Sequence, residues 1–205
     1  ADGKDGEGLR DDLPRITGIN WNHNKPISQS DQTYERMSAD GLVITLDPMR
    51  PVLSDTITTD TVQLLHRVEH RDDNSRLSTY CYCNVTVQVD RVAVQAGCGE
   101  GFDVPQDADT GPVATAIRSR PLSPNNEVIP LPGGQYRVVI YGDHILGSEM
   151  IEIRDPFNPD AMIEVHPALD ANHFAPGLPA RCPTGDRVEG GTFLSWFSIE
   201  SGDND

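Results

Sequence analysis

Apolar residues fall on alternate positions along much of the chain, and the clearest case is Tyr136-Arg137-Val138-Val139-Ile140-Tyr141. Tyr136, Val138 and Ile140 point one way, and Arg137, Val139 and Tyr141 the other. The turn signals Leu131-Pro132-Gly133-Gly134 and Gly142-Asp143 bound the run. Period-two alternation between Gly, Pro and Asp predicts a strand with one face on a core.

The same pattern predicts further strands at Ile16–Trp21, Leu42–Leu46, Val62–Val68, Thr79–Val89, Arg91–Ala96 and Val113–Arg118. Within the longest of these, Val85, Val87 and Val89 share a face. Glu127–Pro130, Glu149–Arg154, Met162–Val165 and Thr192–Ile199 complete the set, and the second and third of these form a hairpin around Asp155-Pro156-Phe157-Asn158-Pro159. Asn22–Gln32 reads as a polar loop, a helical turn is expected at Tyr34–Ala39, and Gly97–Pro112 and His166–Gly191 read as long loops. Many short strands, 16 prolines, 18 glycines and no long amphipathic helix predict an all-β antiparallel sandwich with enlarged loops.

At 205 residues the chain fits one large domain, and a chain of ~150 residues or more can bury roughly 68–70% of its unfolded surface without staples. Residues 1–13 are Gly- and Asp-rich and read as an acidic flexible tail or linker. Residues 200–205 read as a second acidic tail, leaving 14–199 as the folded body. The formal net charge is −16, which argues against nucleic acid and anionic membrane surfaces as partners. No run of about 18 apolar residues is present to insert in a membrane as a helix. The chain starts at Ala1 without Met, so a removed leader or upstream domain is expected.

Two blocks resemble bacterial immunoglobulin-like domains of the S-layer type. Leu42-Val43-Ile44-Thr45-Leu46-Asp47-Pro48-Met49-Arg50-Pro51-Val52 followed by Asp60–Leu64 is similar to that family's strand, Pro-Val bend and second strand. Leu131–Ile140 is similar to its Leu-x-Pro-Gly-x-x-Tyr-x-Val block, with Asp143-His144-Ile145-Leu146 at the place of a short motif after the strand. The resemblance implies an immunoglobulin-like fold and a non-catalytic structural or interaction role beside other protein subunits, in a homo-oligomer or a larger complex, with binding through loops or a sheet edge. It implies a bacterial surface protein, extracellular or at the cell surface, or a component of a large assembly made in the cytoplasm. The chain exceeds a minimal module, and residues 147–191 read as an insertion where specific function would reside.

Several residues invite chemistry. His66-Arg67-Val68-Glu69-His70 matches the H-x-x-E-H zinc-hydrolase pattern, which needs a helix to bring His66 and His70 onto one metal, with Glu69 as base. In a strand, at ~3.3 Å per residue, the two histidines stand about 13 Å apart. Cys81, Cys83, Cys98 and Cys182 make an even count compatible with disulfides, buried thiols or a metal site, the favoured pairing tying Cys98 or Cys182 to the Cys81/Cys83 strand. Asp103, Asp107 and Asp109, and separately Asp155, Asn158 and Asp160, are oxygen-rich turns able to contribute to calcium binding, although solvated acidic turns explain them as well. No other cofactor is expected. Ser195 lacks a nucleophile elbow and reads as a packing position, and His23 and His173 as incidental loop residues. A carbohydrate-binding module would need Tyr34, Tyr80, Tyr82, Tyr141, Trp21 or Trp196 coplanar on one face.

Overall fold

The computed structural model describes residues 10–72, 75–93, 113–172 and 183–200. Its strands are β1 (Ile16–Ile19), β2 (Pro26–Ser28), β3 (Leu42–Leu46), β4 (Val62–Asp72), β5 (Ser75–Tyr82), β6 (Val85–Ala93), β7 (Val113–Pro121), β8 (Gly134–Tyr141), β9 (Ile151–Arg154), β10 (Met162–Val165) and β11 (Thr192–Glu200). Among the described residues one α-helix, α1 (Gln32–Asp40), precedes β3. One sheet has the order β1-β3-β7-β6 and the other β2-β11-β8-β4-β5. Among the described residues all strand pairings are antiparallel except β2 beside β11, and an isolated parallel bridge joins Arg15 and Asp170.

This is the strand order of an immunoglobulin-like sandwich. The first sheet corresponds to strands A, B, E and D, and β11, β8, β4 and β5 to G, F, C and C′. Tyr136, near the start of the F-equivalent strand, donates its hydroxyl to Pro132 O at 2.8 Å. That is the tyrosine corner of such folds, placed by the Pro-Gly turn the sequence announces. Val138, buried two residues later, stands where antibody domains carry their second cysteine. The core here is therefore built from packing at that position.

The inner faces follow from strand alternation. Leu42, Ile44 and Leu46 of β3 and Ile117 of β7 meet Val62 and Leu64 of β4, Tyr136, Val138 and Ile140 of β8, and Phe193, Phe197 and Ile199 of β11. An aromatic chain runs through this core. Tyr136 stacks on Phe197 with centroids 5.5 Å apart, and Trp21 tilts against Phe197 at 5.9 Å.

Four expectations change. The predicted strand Thr79–Val89 is two strands in different sheets, because the chain crosses between layers at Cys83 and Asn84. There Cys83 N–H still bonds Leu64 O, while the Asn84 carbonyl already accepts from Leu122 N. Glu127–Pro130 forms only a bridge between Val128 and Leu122. The polar loop after Trp21 contains β2, whose three residues pair with the end of β11. Within the expected N-terminal tail, residues 10–13 are docked: Leu13 is buried and Arg10 N–H bonds Arg187 O at 2.8 Å. An apolar residue surrounded by core outweighs the polarity of its neighbours in sequence.

The layered core and the exposed insertion should respond oppositely to truncation. Phe193 is fully buried, so Phe193→Ala should cost about 3–5 kcal/mol in urea unfolding. Phe157→Ala, at a residue 96% exposed, should change stability by less than about 0.5 kcal/mol.

Candidate functional site

The residues with chemical promise do not converge. His66, Glu69 and His70 all lie in β4, an extended strand, which overturns the helix that a shared zinc would require. The His66 ring is stacked on Tyr136 at 4.8 Å, and His66 pairs across the ladder with Cys81. Cys81 is an exposed thiol and Cys83 a half-buried one. Burial, helped by nearby Cys81, pushes the Cys83 thiol up to about 11, so it is protonated and unreactive at neutral pH. Cys98 and Cys182, the expected pairing partners, lie outside the described residues, as do Asp103, Asp107, Asp109 and His173.

Asp155 and Asn158 spend oxygens on the hairpin turn itself. Asp155 Oδ1 accepts from Phe157 N at 2.8 Å, and Asn158 Oδ1 accepts from Asp160 N at 3.4 Å. Among the described residues no group of three or more His, Cys, Asp or Glu side chains is arranged to hold a metal ion. Ser195 is fully buried, accepts the Trp21 indole N–H at 2.9 Å and bonds His23 Nδ1 at 3.0 Å. The packing role read for Ser195 fits this. His23, read as incidental, is instead built in, edge-on against Trp196 at 4.4 Å.

The six aromatics proposed as a sugar platform are divided. Trp21 is buried, and Tyr34 donates to Leu131 O. Tyr80, Tyr82, Tyr141 and Trp196 share the outer face of the five-stranded sheet by register. The Arg137 guanidinium lies 4.1 Å above the Tyr80 ring, covering the surface on which a sugar would stack. Trp196 donates its indole N–H to Asn24 Oδ1 at 2.6 Å.

What remains distinctive is one end of the sandwich. The connection from β8 to β11 corresponds to the F–G loop, the position that carries binding loops in variable domains, and here it holds β9 and β10. Its root is firmly tied. Leu53 N bonds Leu146 O at 2.8 Å, Leu146 N bonds Thr56 Oγ1 at 3.1 Å, and Leu169 N bonds Ile145 O at 2.8 Å. Leu169 and Ala171 are in the core, so the segment expected as an insertion at 147–191 contributes packing as well as projection.

Asp170 is the polar centre of that root, and no sequence motif marks it. Its side chain is buried and accepts from Arg187 N at 2.9 Å and Asp186 N at 3.3 Å. Its carbonyl accepts the Thr184 hydroxyl at 2.7 Å, while Thr184 Oγ1 accepts from Ile16 N at 3.0 Å. A buried carboxylate with such donors joins three distant segments that would otherwise carry unsatisfied amides. Farther along, Asp143 Oδ1 accepts from Gly191 N at 3.2 Å and occupies the space a side chain on Gly190 would need. Gly190 and Gly191 both have φ near +80°, at 83° and 82°.

From this root the hairpin projects. Ile151, Ile153, Ile163 and Val165 line one side of the ribbon, and Glu152, Arg154, Met162 and Glu164 the other. The ribbon joins neither sheet, and a lone two-stranded ribbon is marginal in water. Phe157 at its tip is 96% exposed, and Met150 and Met162 are 57% and 58% exposed. Met49, in the neighbouring β3–β4 loop, is 73% exposed. A cleft of about 230 Å³ opens at the ribbon's base between Pro14, Arg50, Pro51, Met150, Ile151 and Pro167. No family model, curated protein or solved structure matches the chain.

The Asp170 tie has a pH signature. Burial raises its carboxyl above the ordinary 3.8, against the pull of the Arg187 and Asp186 amides. Ionisation therefore favours the unfolded chain, and the cost grows as pH rises from about 4 through the folded-state range. In urea titrations the stability of the wild type relative to Asp170→Asn should fall as pH increases over that range. A difference that rises with pH would contradict the assignment.

Proposed function

We propose that the chain is a non-catalytic interaction module, an immunoglobulin-like domain of the bacterial S-layer type, engaging other protein subunits through the end that carries the β9–β10 hairpin. Its setting on this reading is extracellular or at a bacterial cell surface, or in a large assembly made in the cytoplasm. The observation that carries the proposal is the hairpin: an apolar projection on a braced root, outside both sheets. Exposed apolar clusters of this kind, rimmed by polar residues, mark protein interaction sites. The Asp143 contact with Gly190 and Gly191 gives the family resemblance a physical role in holding that end together, while the Pro-Gly-Tyr corner fixes the opposite end of β8. The net charge of −16 supports a protein partner over nucleic acid.

Site-specific photo-crosslinking in the cells that make the protein tests this. A crosslinker replacing Phe157 should give one discrete protein adduct, displaced by excess unlabelled chain. The same group replacing exposed Asn125, in the β7–β8 loop, should give none. Absence of an adduct at position 157, or identical adducts at both positions, would contradict the proposal.

A further inference from the structure

Among the described residues the outer edge of β9 pairs with no strand, and its chemistry matches itself. In the β9–β10 ladder Ile151 faces Val165, Glu152 faces Glu164, Ile153 faces Ile163 and Arg154 faces Met162. Asp155 N bonds Ala161 O at 3.0 Å, which sets the parity: Ile151 and Ile153 turn their backbone groups toward β10, and Glu152 and Arg154 turn theirs outward. Independently, Glu152 O receives Arg10 Nη1 at 3.5 Å, a long contact reaching it from the side away from β10. The outward edge therefore presents the N–H and C=O groups of Glu152 and Arg154.

The side chains on this strand are unresolved electrostatically. Glu152 stands opposite the like-charged Glu164, an unfavourable cross-strand pair. Among the described residues Arg154 has no ion-pair partner. Both are exposed.

We infer that β9 pairs antiparallel with β9 of a second copy of this chain, centred on Ile153. This rests on reading the hairpin as an interaction surface and names what it meets. In that register Glu152 of each copy lies opposite Arg154 of the other, as a hydrogen-bonded pair, so two ion pairs and four backbone bonds form at once. Ile153 meets Ile153 across the two-fold axis at a non-hydrogen-bonded position, where side chains approach most closely. The two ribbons become one four-stranded sheet whose apolar side carries Ile151, Ile153, Ile163 and Val165 from both copies. A two-fold contact must be self-complementary, and the sequence Ile-Glu-Ile-Arg meets that condition in this register and loses it on a one-residue slip. The net charge of −16 opposes association at low salt, whereas at about 0.15 M salt, with a Debye length of about 8 Å, the close pairs outlast the long-range repulsion.

Sedimentation equilibrium of the full chain at that ionic strength, over a concentration series, tests the pairing. The wild type should show a reversible monomer–dimer equilibrium. Glu152→Arg and Arg154→Glu should each weaken it by about tenfold or more, through like charges placed opposite each other. The double variant should return to within about threefold of wild type. Thermal melts of all four proteins, recorded at concentrations where each is monomeric, should coincide, since both residues lie outside the sandwich. A wild type that stays monomeric, single variants without effect, or a double variant no better than the singles would overturn the inference. A monomeric chain that still crosslinks a different protein from position 157 would overturn only the second copy as occupant and leave the interaction surface standing.

Discussion

The pairing of β11 with β8 is the interaction on which the structure depends. Eight residue pairs, from Thr192 opposite Tyr141 to Ile199 opposite Gly134, bring the end of the chain into the middle of the five-stranded sheet. Phe193, Ser195, Phe197 and Ile199 then face inward, and all four are buried. Without that strand, Tyr136 and Trp21 would lose Phe197, and β2 would lose its only strand neighbour among the described residues. Because β8 and β11 are separated by fifty residues, everything between them must leave the sheet and return in register. Closing so long a connection costs entropy, which the buried faces of the two strands offset.

The root of the connection shows how the return is fixed. Asp170 and Thr184 join the start of β1 to two segments that follow the hairpin, and Asp143 locks the glycine pair just before β11. The Asp170 and Thr184 bonds are polar ties in a buried or half-buried setting, where each unsatisfied amide would be costly, whereas the Asp143 bond is exposed. The hairpin itself contributes little to the core. On the function proposed above, fold and function fall in different parts of one loop: the base completes the sandwich, and the projection is the interaction surface.

Period-two alternation makes most of the strands legible, and the Leu-Pro-Gly-Gly-Gln-Tyr block identifies the corner on which the fold turns. Alternation is blind to which sheet a strand joins. It therefore runs β5 and β6 together, since Cys81, Cys83, Val85, Val87 and Val89 keep one parity across the layer change. It also misses β2, three residues stabilised by a parallel neighbour more than 160 positions away. The H-x-x-E-H motif illustrates the opposite failure. Its spacing carries chemistry only on a helix, and β-branched and apolar neighbours place it in β4. At the candidate site, the hairpin is readable as two short strands around an Asp-Pro turn. Its exposure is not, because alternating apolar residues look alike whether a core covers them or not. Asp170 is hidden for a related reason: burial gives it its role, and nothing beside it in sequence signals burial.

The central claim is that the sandwich is complete without the hairpin. Hydrogen exchange on a chain in which residues 152–164 are replaced by Asn-Gly, closing the Ile151–Val165 pair with a tight turn, tests it most directly. The account predicts that amide protection in β8 and β11 matches the wild type. Loss of protection in those two strands would show that the projection is part of the fold.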